Sequence, residues 1–345
     1  MMQTETQTRT VPQVVQKLRL WEAEHQPMDR VSRLPLFQYM VEPGKGGALV
    51  PLSNGNGSGV QVYQPTGALQ VSQPTLHFNA HAHDQLLTRL GFPPGFYKRL
   101  TELQAEKLNL LIVNTLIQKG VYDKECLFRI IDGDQVRALM SARYEPFDDL
   151  QLLTIAEPYL PPDSEVRWEY RDDLSMHLSI TFPRTATEVK VGDIVQQGIH
   201  LSNSEVGVRS VTMASFLWRL KCLNGAIGMG DGEFYRFRHT GDSEKMSQSV
   251  AAAIQSTMLE AEKITAQFKA AVDKAIEQPF EFMEKVAKGE GMSQETFKAC
   301  LDAYLLEPDP SLFGVSQSFS RAAQSFKGED SYELQKLSTK VLSMN

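Results

Sequence analysis

The chain has 345 residues, 42% of them hydrophobic, ample for a buried core and suggestive of about two structural units. Its formal net charge of -7 excludes a protein that coats nucleic acid through bulk positive charge, while leaving room for a local basic groove. No run approaches the roughly 20 apolar residues of a membrane span, no secretion signal opens the chain, and Cys126, Cys222 and Cys300 form no C-x-x-C pair, so a cytoplasmic protein away from the membrane is expected.

Residues 1–75 mix Gln, Thr, Gly and Pro, and the stretch 52–59 is rich in Gly and Asn, which predicts an irregular N-terminal arm with a flexible loop. Gly44, Lys45, Gly46 and Gly47 lack the spacing of a phosphate loop and read as a turn. From Asn79, a fitting cap, Leu86, Leu87 and Leu90 share one helical face, and the Gly-Phe-Pro-Pro run 91–94 stops the helix. Further short helices are predicted at 96–103 and 108–120. The runs 127–131 and 136–140 flank Asp132 and Gly133, a favoured tight-turn pair, and predict a hairpin. A helix with an acidic start follows at 148–159, then strands at 166–170, 176–180, 193–201 and 206–213.

Beyond Gly241, Met246, Val250, Ile254, Met258, Ala261, Ile264, Phe268, Val272 and Ile276 recur at helical spacing and predict one long helix, stopped or kinked at Pro279. Shorter helices at 293–306 and 332–342 complete the chain. The expected fold class is α+β: an arm at 1–75, a core domain at 76–240 with a mainly antiparallel sheet and packed helices, and a helical C-terminal unit at 241–345.

Chemistry is sparse. His77, His81, His83 and Asp84 lack the H-E-x-x-H arrangement, and His81 and His83 diverge on a helix, so no metal site is expected. The pairs Asp148/Asp149 and Asp172/Asp173 sit where a helix start and a turn favour carboxylates. No nucleophile elbow, dinucleotide loop or kinase set is present, and neither catalytic residues nor a cofactor are assigned. Gly228, Gly230 and Gly232 have turn spacing.

Residues 208–238 are more informative. Arg209, Arg219 and Lys221 alternate with Phe216 and Trp218, and Arg236 and Arg238 interleave with Tyr235 and Phe237. Cations beside aromatic faces are what single-stranded nucleic acid binding uses, with Arg209, Phe216, Trp218, Arg219, Lys221, Tyr235, Arg236 and Arg238 as the candidate contacts. The same alternation arises when a half-buried strand presents an aromatic core face and a charged exposed face.

Three stretches, 142–149 (ARYEPFDD), 201–207 (LSNSEVG) and 216–225 (FLWRLKCLNG), together resemble the phage/plasmid-like protein family of domain of unknown function 932. In that family a Y-x-P-x-x-[ND] helix start, an L-x-N-S-x-x-G turn and an R-x-x-C-x-N-G end occur in this order. The likeness covers about residues 78–230 and implies a phage or plasmid setting, hence a host cytoplasm, without an agreed activity. The order of hairpin, helix, strands and helix is also similar to single-strand annealing recombinases of the Rad and Red beta class, which form rings or filaments on DNA. The expected function is single-stranded DNA binding, as a strand-annealing homo-oligomer in recombination or replication. A non-enzymatic protein-binding modulator of host defence or replication stays open beside it, as does an enzyme with an unrecognised site.

Overall fold

Val11, Val14, Val15 and Leu18 recur at the spacing of one helical face, and in the computed structural model they are the buried stripe of helix α1 (Val11–His25), which follows the short strand β1 (Arg9–Thr10). The structure describes residues 9–42, 46–52, 74–221, 223–228 and 234–344. It divides into two compact units, one of Arg19–Glu145 and one of the residues before and after it, with the boundary inside α1. This division differs from the expected one at 75 and 240. Residues 9–42 and 46–51 hold a helix and strands where turn-rich composition predicts an irregular arm. Apart from Leu52, the expected loop at 52–59 lies outside the described residues, as do Gly44, Lys45, Cys222, Gly230 and Gly232.

The middle unit contains β2 (Met28–Arg33), β3 (Phe37–Glu42), β4 (Gly46–Pro51), β5 (Leu76–Phe78), α2 (Ala80–Arg89), α3 (Pro94–Glu102), α4 (Glu106–Gln118), β6 (Glu125–Ile131) and β7 (Gln135–Ser141). The sheet order is β2-β6-β7-β5-β4-β3, antiparallel except where β5 meets β7. The predicted hairpin is β6–β7, and Asp132 and Gly133 take φ of 52° and 83°, the positive values a tight hairpin turn requires. Asn79 caps α2 as predicted, its side chain accepting a hydrogen bond from Ala82 N at 2.8 Å. Leu86, Leu87, Val113, Ile117, Phe128 and Leu139 share the core of this unit.

The other unit contains α5 (Asp149–Ala156), β8 (Glu165–Arg171), β9 (Met176–Thr181), β10 (Thr187–Lys190), β11 (Asp193–Asn203), β12 (Val211–Arg219), β13 (Asn224–Ile227), β14 (Phe234–Phe237), α6 (Ser243–Val272), α7 (Pro279–Gly289), α8 (Gln294–Leu306), α9 (Leu312–Ala322) and α10 (Gly328–Lys340). Its antiparallel sheet runs β1-β8-β9-β11-β12, with β10 on β11. Strand β12 is shared: its last four residues pair with β13 and its first four with β14.

Alternation along these strands gives the sheet two different faces. Leu178, Ile180, Ile199, Leu201, Val211 and Met213 meet Val14 and Val15 of α1, Leu152 and Leu153 of α5, and Val250 and Ile254 of α6. The second half of the α6 stripe, Ile264 and Phe268, joins Leu217, Phe313, Val315 and Phe319 in a neighbouring cluster. The opposite face carries Trp168, His177, His200 and Phe216, and the Tyr332 ring of α10 lies over it, 4.5 Å from His177 and 5.1 Å from His200. The fold is thus α+β with C-terminal helices, as expected. Among the described residues no helix is long and apolar enough to cross a membrane.

Helix α6 ends at Val272, short of the expected Ile276, and Pro279 opens α7 rather than stopping α6, as suits proline in a first helical turn. Two further elements differ from expectation for identifiable reasons. Strand β12 begins at Val211 rather than 206, because Val206 N and Val208 N donate to Ser204 Oγ and Gly207 adopts φ 81°, so 204–210 is a closed loop. Helix α9 is absent from the sequence reading because its inward face carries Ser316, Gln317, Ser318 and Ser320, buried polar groups that hide the apolar period.

Candidate nucleic-acid interface

The eight candidate residues follow from the pleat of β12 and the pairing of β14. Phe216 is fully buried against Ile227, with Gly198 and Ile227 opposite it on the flanking strands, so neither ring face is open to a base. Trp218, two residues on, is partly buried beside it, ring centroids 6.2 Å apart. Tyr235 packs on the opposite, helix-covered face. Arg209 pairs with Glu329 and lies 5.1 Å over the Tyr332 ring. Arg236 and Arg238 are exposed, and the former donates to Ser210 Oγ at 3.2 Å.

Of the eight, the structure brings Arg219 and Lys221 into one cluster, at the end of β12 away from β14. Arg219 is buried, its guanidinium 5.5 Å from the Phe313 ring. Nε donates to both oxygens of Asp193 at 2.7 and 2.8 Å, while Nη1 and Nη2 donate to Glu307 at 3.1 and 3.0 Å. Lys221 Nζ donates to the same Glu307 carboxylate at 2.7 Å, and Arg321 of α9 lies 3.7 Å from it. Lys190, from β10, pairs with Asp309 at 2.8 Å.

Arg219, Lys221, Lys190, Glu307 and Asp309 line a cavity of about 270 Å³ whose wall includes the first two turns of α9, from Phe313 and Gly314 to Gln317. The hydrogen bond to Glu307 raises the Lys221 ammonium above its usual pKa. Burial pushes Asp309 up, but hydrogen bonds from Lys190 and Ser311 outweigh it and leave the carboxyl below the usual range. Behind Arg219, Asn224 donates to Gln317 Oε1 at 3.0 Å and to Ser320 Oγ at 2.8 Å, while its own carbonyl oxygen is buried without a partner. The adjoining void of about 10 Å³ is of the order of one water.

Sequence reasoning assigned no role to Asp193, Lys190, Glu307, Asp309 or Arg321. The one local signal was Glu307-Pro308-Asp309-Pro310, where two acids each precede a proline. The group of His81, His83 and Asp84, in contrast, disperses: His83 hydrogen-bonds Tyr39 at 2.8 Å, His81 accepts from Gln85 at 2.9 Å, and Asp84 pairs with Lys98 at 2.9 Å. Among the described residues no group of three or more His, Cys, Asp or Glu side chains is placed to hold a metal ion.

A second polar cluster closes the other end of β11. Buried Asp149 accepts from Arg171 Nε at 2.8 Å and from Asn203 Nδ2 at 3.0 Å, and its backbone N–H donates to Glu205 at 2.9 Å. Burial, then the neighbouring Glu205 carboxylate, push the Asp149 carboxyl up to about 7 against Arg171 and Asn203.

An acid that binds its proton more tightly folded than unfolded stabilises most at low pH, and this contribution is lost as pH rises from the ordinary carboxylate range to about 7. We therefore expect urea-derived stability to fall between about pH 4 and 7, and Asp149→Asn to remove as much as about 1.4 kcal/mol per pH unit of that slope. An unchanged slope in the folded variant would refute the assignment to Asp149.

Residues 138–297, from within β7 into α8, match the family model described as Domain of unknown function (DUF932). This segment is a DUF932 domain. No curated protein and no solved structure matches the chain. The three sequence stretches that carried the resemblance lie within the DUF932 domain and each contributes residues to one of the two polar clusters: Asp149, Asn203 and Glu205 to one, Arg219, Lys221 and Asn224 to the other. Asp149 meets Asn203, and Asn203 also donates to Phe147 O at 2.8 Å, tying the helix start to the end of β11. Arg219 and Asn224 tie β12 and β13 to Asp193 and to α9. In the DUF932 domain Asn203 is thus a strand-end tie rather than a turn residue, and the left-handed backbone near Asn224 falls on Leu223, at φ 52°.

Proposed function

We propose that this chain binds single-stranded nucleic acid through the phosphate backbone, at the cations gathered around Glu307. The observation that supports this reading is the convergence of Arg219, Lys221 and Arg321 on one partly exposed carboxylate beside an open, polar cavity. Guanidinium forks match phosphate geometry, and the adjoining N-terminus of α9 adds partial positive charge. Buried Phe216 removes one stacking ring, so recognition rests on charge more than on bases. A strand-annealing oligomer in phage or plasmid recombination is the sharper form of this reading.

Fluorescence polarisation with single-stranded and duplex DNA at two salt concentrations tests it. Wild-type protein should bind the single strand more weakly as salt rises, and Lys221→Ala should reduce the logarithmic salt slope by about 0.7, the loss of one phosphate contact. No binding by folded protein at low salt would move the weight to a protein partner. That second reading has its own observation: Phe96, Leu103, Leu108 and Leu111 are exposed on and between α3 and α4.

A further inference from the structure

We infer that Glu307-Pro308-Asp309-Pro310 is an in-chain stand-in for a phosphodiester strand, seated on the cation cluster and obliged to leave before that cluster can take phosphate. The identity of the external ligand rests on the reading above; the plug itself rests on geometry. Two acids from one short loop engage cations brought by β10, by the end of β12 and by α9: Glu307 takes Arg219, Lys221 and Arg321, and Asp309 takes Lys190. Both acids precede proline, which disfavours helical backbone, and Glu307, at φ −146° and ψ 71°, has left the helix. The loop thus offers two successive anions from a single chain, which is what a phosphodiester strand offers.

The site survives without the plug. Arg219 keeps Asp193 on its Nε edge, so removing Glu307 leaves no buried guanidinium without a counterion. Glu307 lies just beyond the end of α8, where Leu305 and Leu306 are exposed, and its ion pairs are partly solvated and so individually weak.

A glycine makes the seat. A Cβ built on Gly314, in the first turn of α9, would stand 2.3 Å from the carbonyl oxygen of Asp309 and 2.4 Å from its Cβ. A side chain at 314 would therefore collide with the seated loop, although nothing in helical geometry itself demands glycine there.

The test uses full-length wild type, Glu307→Gln and Gly314→Ala, each first verified as folded by circular dichroism. Polarisation with a fluorescent oligothymidine and calorimetry with pyrophosphate are the two measurements. Both variants should bind the oligonucleotide about tenfold tighter than wild type or better, because apparent affinity scales with the fraction of molecules whose site is open. The salt slope of each should steepen.

Wild-type binding that neither variant improves would overturn the plug and leave the nucleic-acid reading standing. Variants that bind pyrophosphate more tightly than wild type while no protein binds oligonucleotide would keep the plug and remove the nucleic-acid reading. Folded variants that bind neither ligand would overturn both.

Discussion

Arg219→Ala is expected to cost the folded state about 3 to 5 kcal/mol, the usual consequence of removing one partner of a buried ion pair. Asp193 is 3% exposed, and the guanidinium grips it from β12 with Nε and Nη2. Without Arg219 that carboxylate stays in a low-dielectric site and must either be protonated or pull water inward. Urea unfolding should therefore show a lower midpoint with little change in slope.

The comparison that gives this number meaning is Glu307→Ala. Glu307 is about one-third exposed and leaves Arg219 paired with Asp193, so its removal should cost no more than about 1 kcal/mol. Equal losses for the two variants would mean that the three groups act as one indivisible unit, and would weaken the case for a loop that can leave.

Why Arg219 stands out in the sequence and its partner Asp193 does not follows from range. The alternation of Arg219 and Lys221 with aromatics is local, whereas Asp193 pairs with Arg219 through the antiparallel register of β11 and β12, and Glu307 arrives from a loop 88 residues further on. Local pattern revealed most of what it could reveal: the β6–β7 hairpin, the Asn79 cap, the α6 stripe as far as Val272 and helix α8. Helix α1 was missed although Val11, Val14, Val15 and Leu18 keep helical spacing, because the Gln- and Thr-rich context outweighed it.

Helix α9 was not legible in the same way. Its buried Ser316 donates to Ser338 O at 2.6 Å and Ser320 to Gly225 O at 2.5 Å, contacts that exist only once α10 and β13 are in place. Polar residues at core positions are satisfied by tertiary partners, and binary patterning cannot anticipate those. The three motif stretches sit between these cases. They identified the domain, yet the reason for their polar residues, two ties at opposite ends of β11, required the register of the sheet.

Phe216→Ala separates the two meanings that aromatic and basic alternation can have. In the structure Phe216 is 0% exposed, lies between Gly198 of β11 and Ile227 of β13 by register, and shares a cluster with Ala214, Ile227 and Tyr332. Gly225 is fitted to the ring so closely that a Cβ there would lie 2.4 Å from it, which leaves no slack for a neighbour to fill the space a truncation creates. Transfer and cavity contributions together should then cost about 3 to 5 kcal/mol.

A base-stacking ring behaves in the opposite manner: its loss weakens oligonucleotide binding by about 1 to 3 kcal/mol per base and leaves unfolding almost untouched. Thermal and urea unfolding of Phe216→Ala, with oligonucleotide affinity measured well below its midpoint, will therefore show a large stability loss with affinity retained. A variant as stable as wild type that has lost affinity would return Phe216 to the interface and require the face beneath α10 to open.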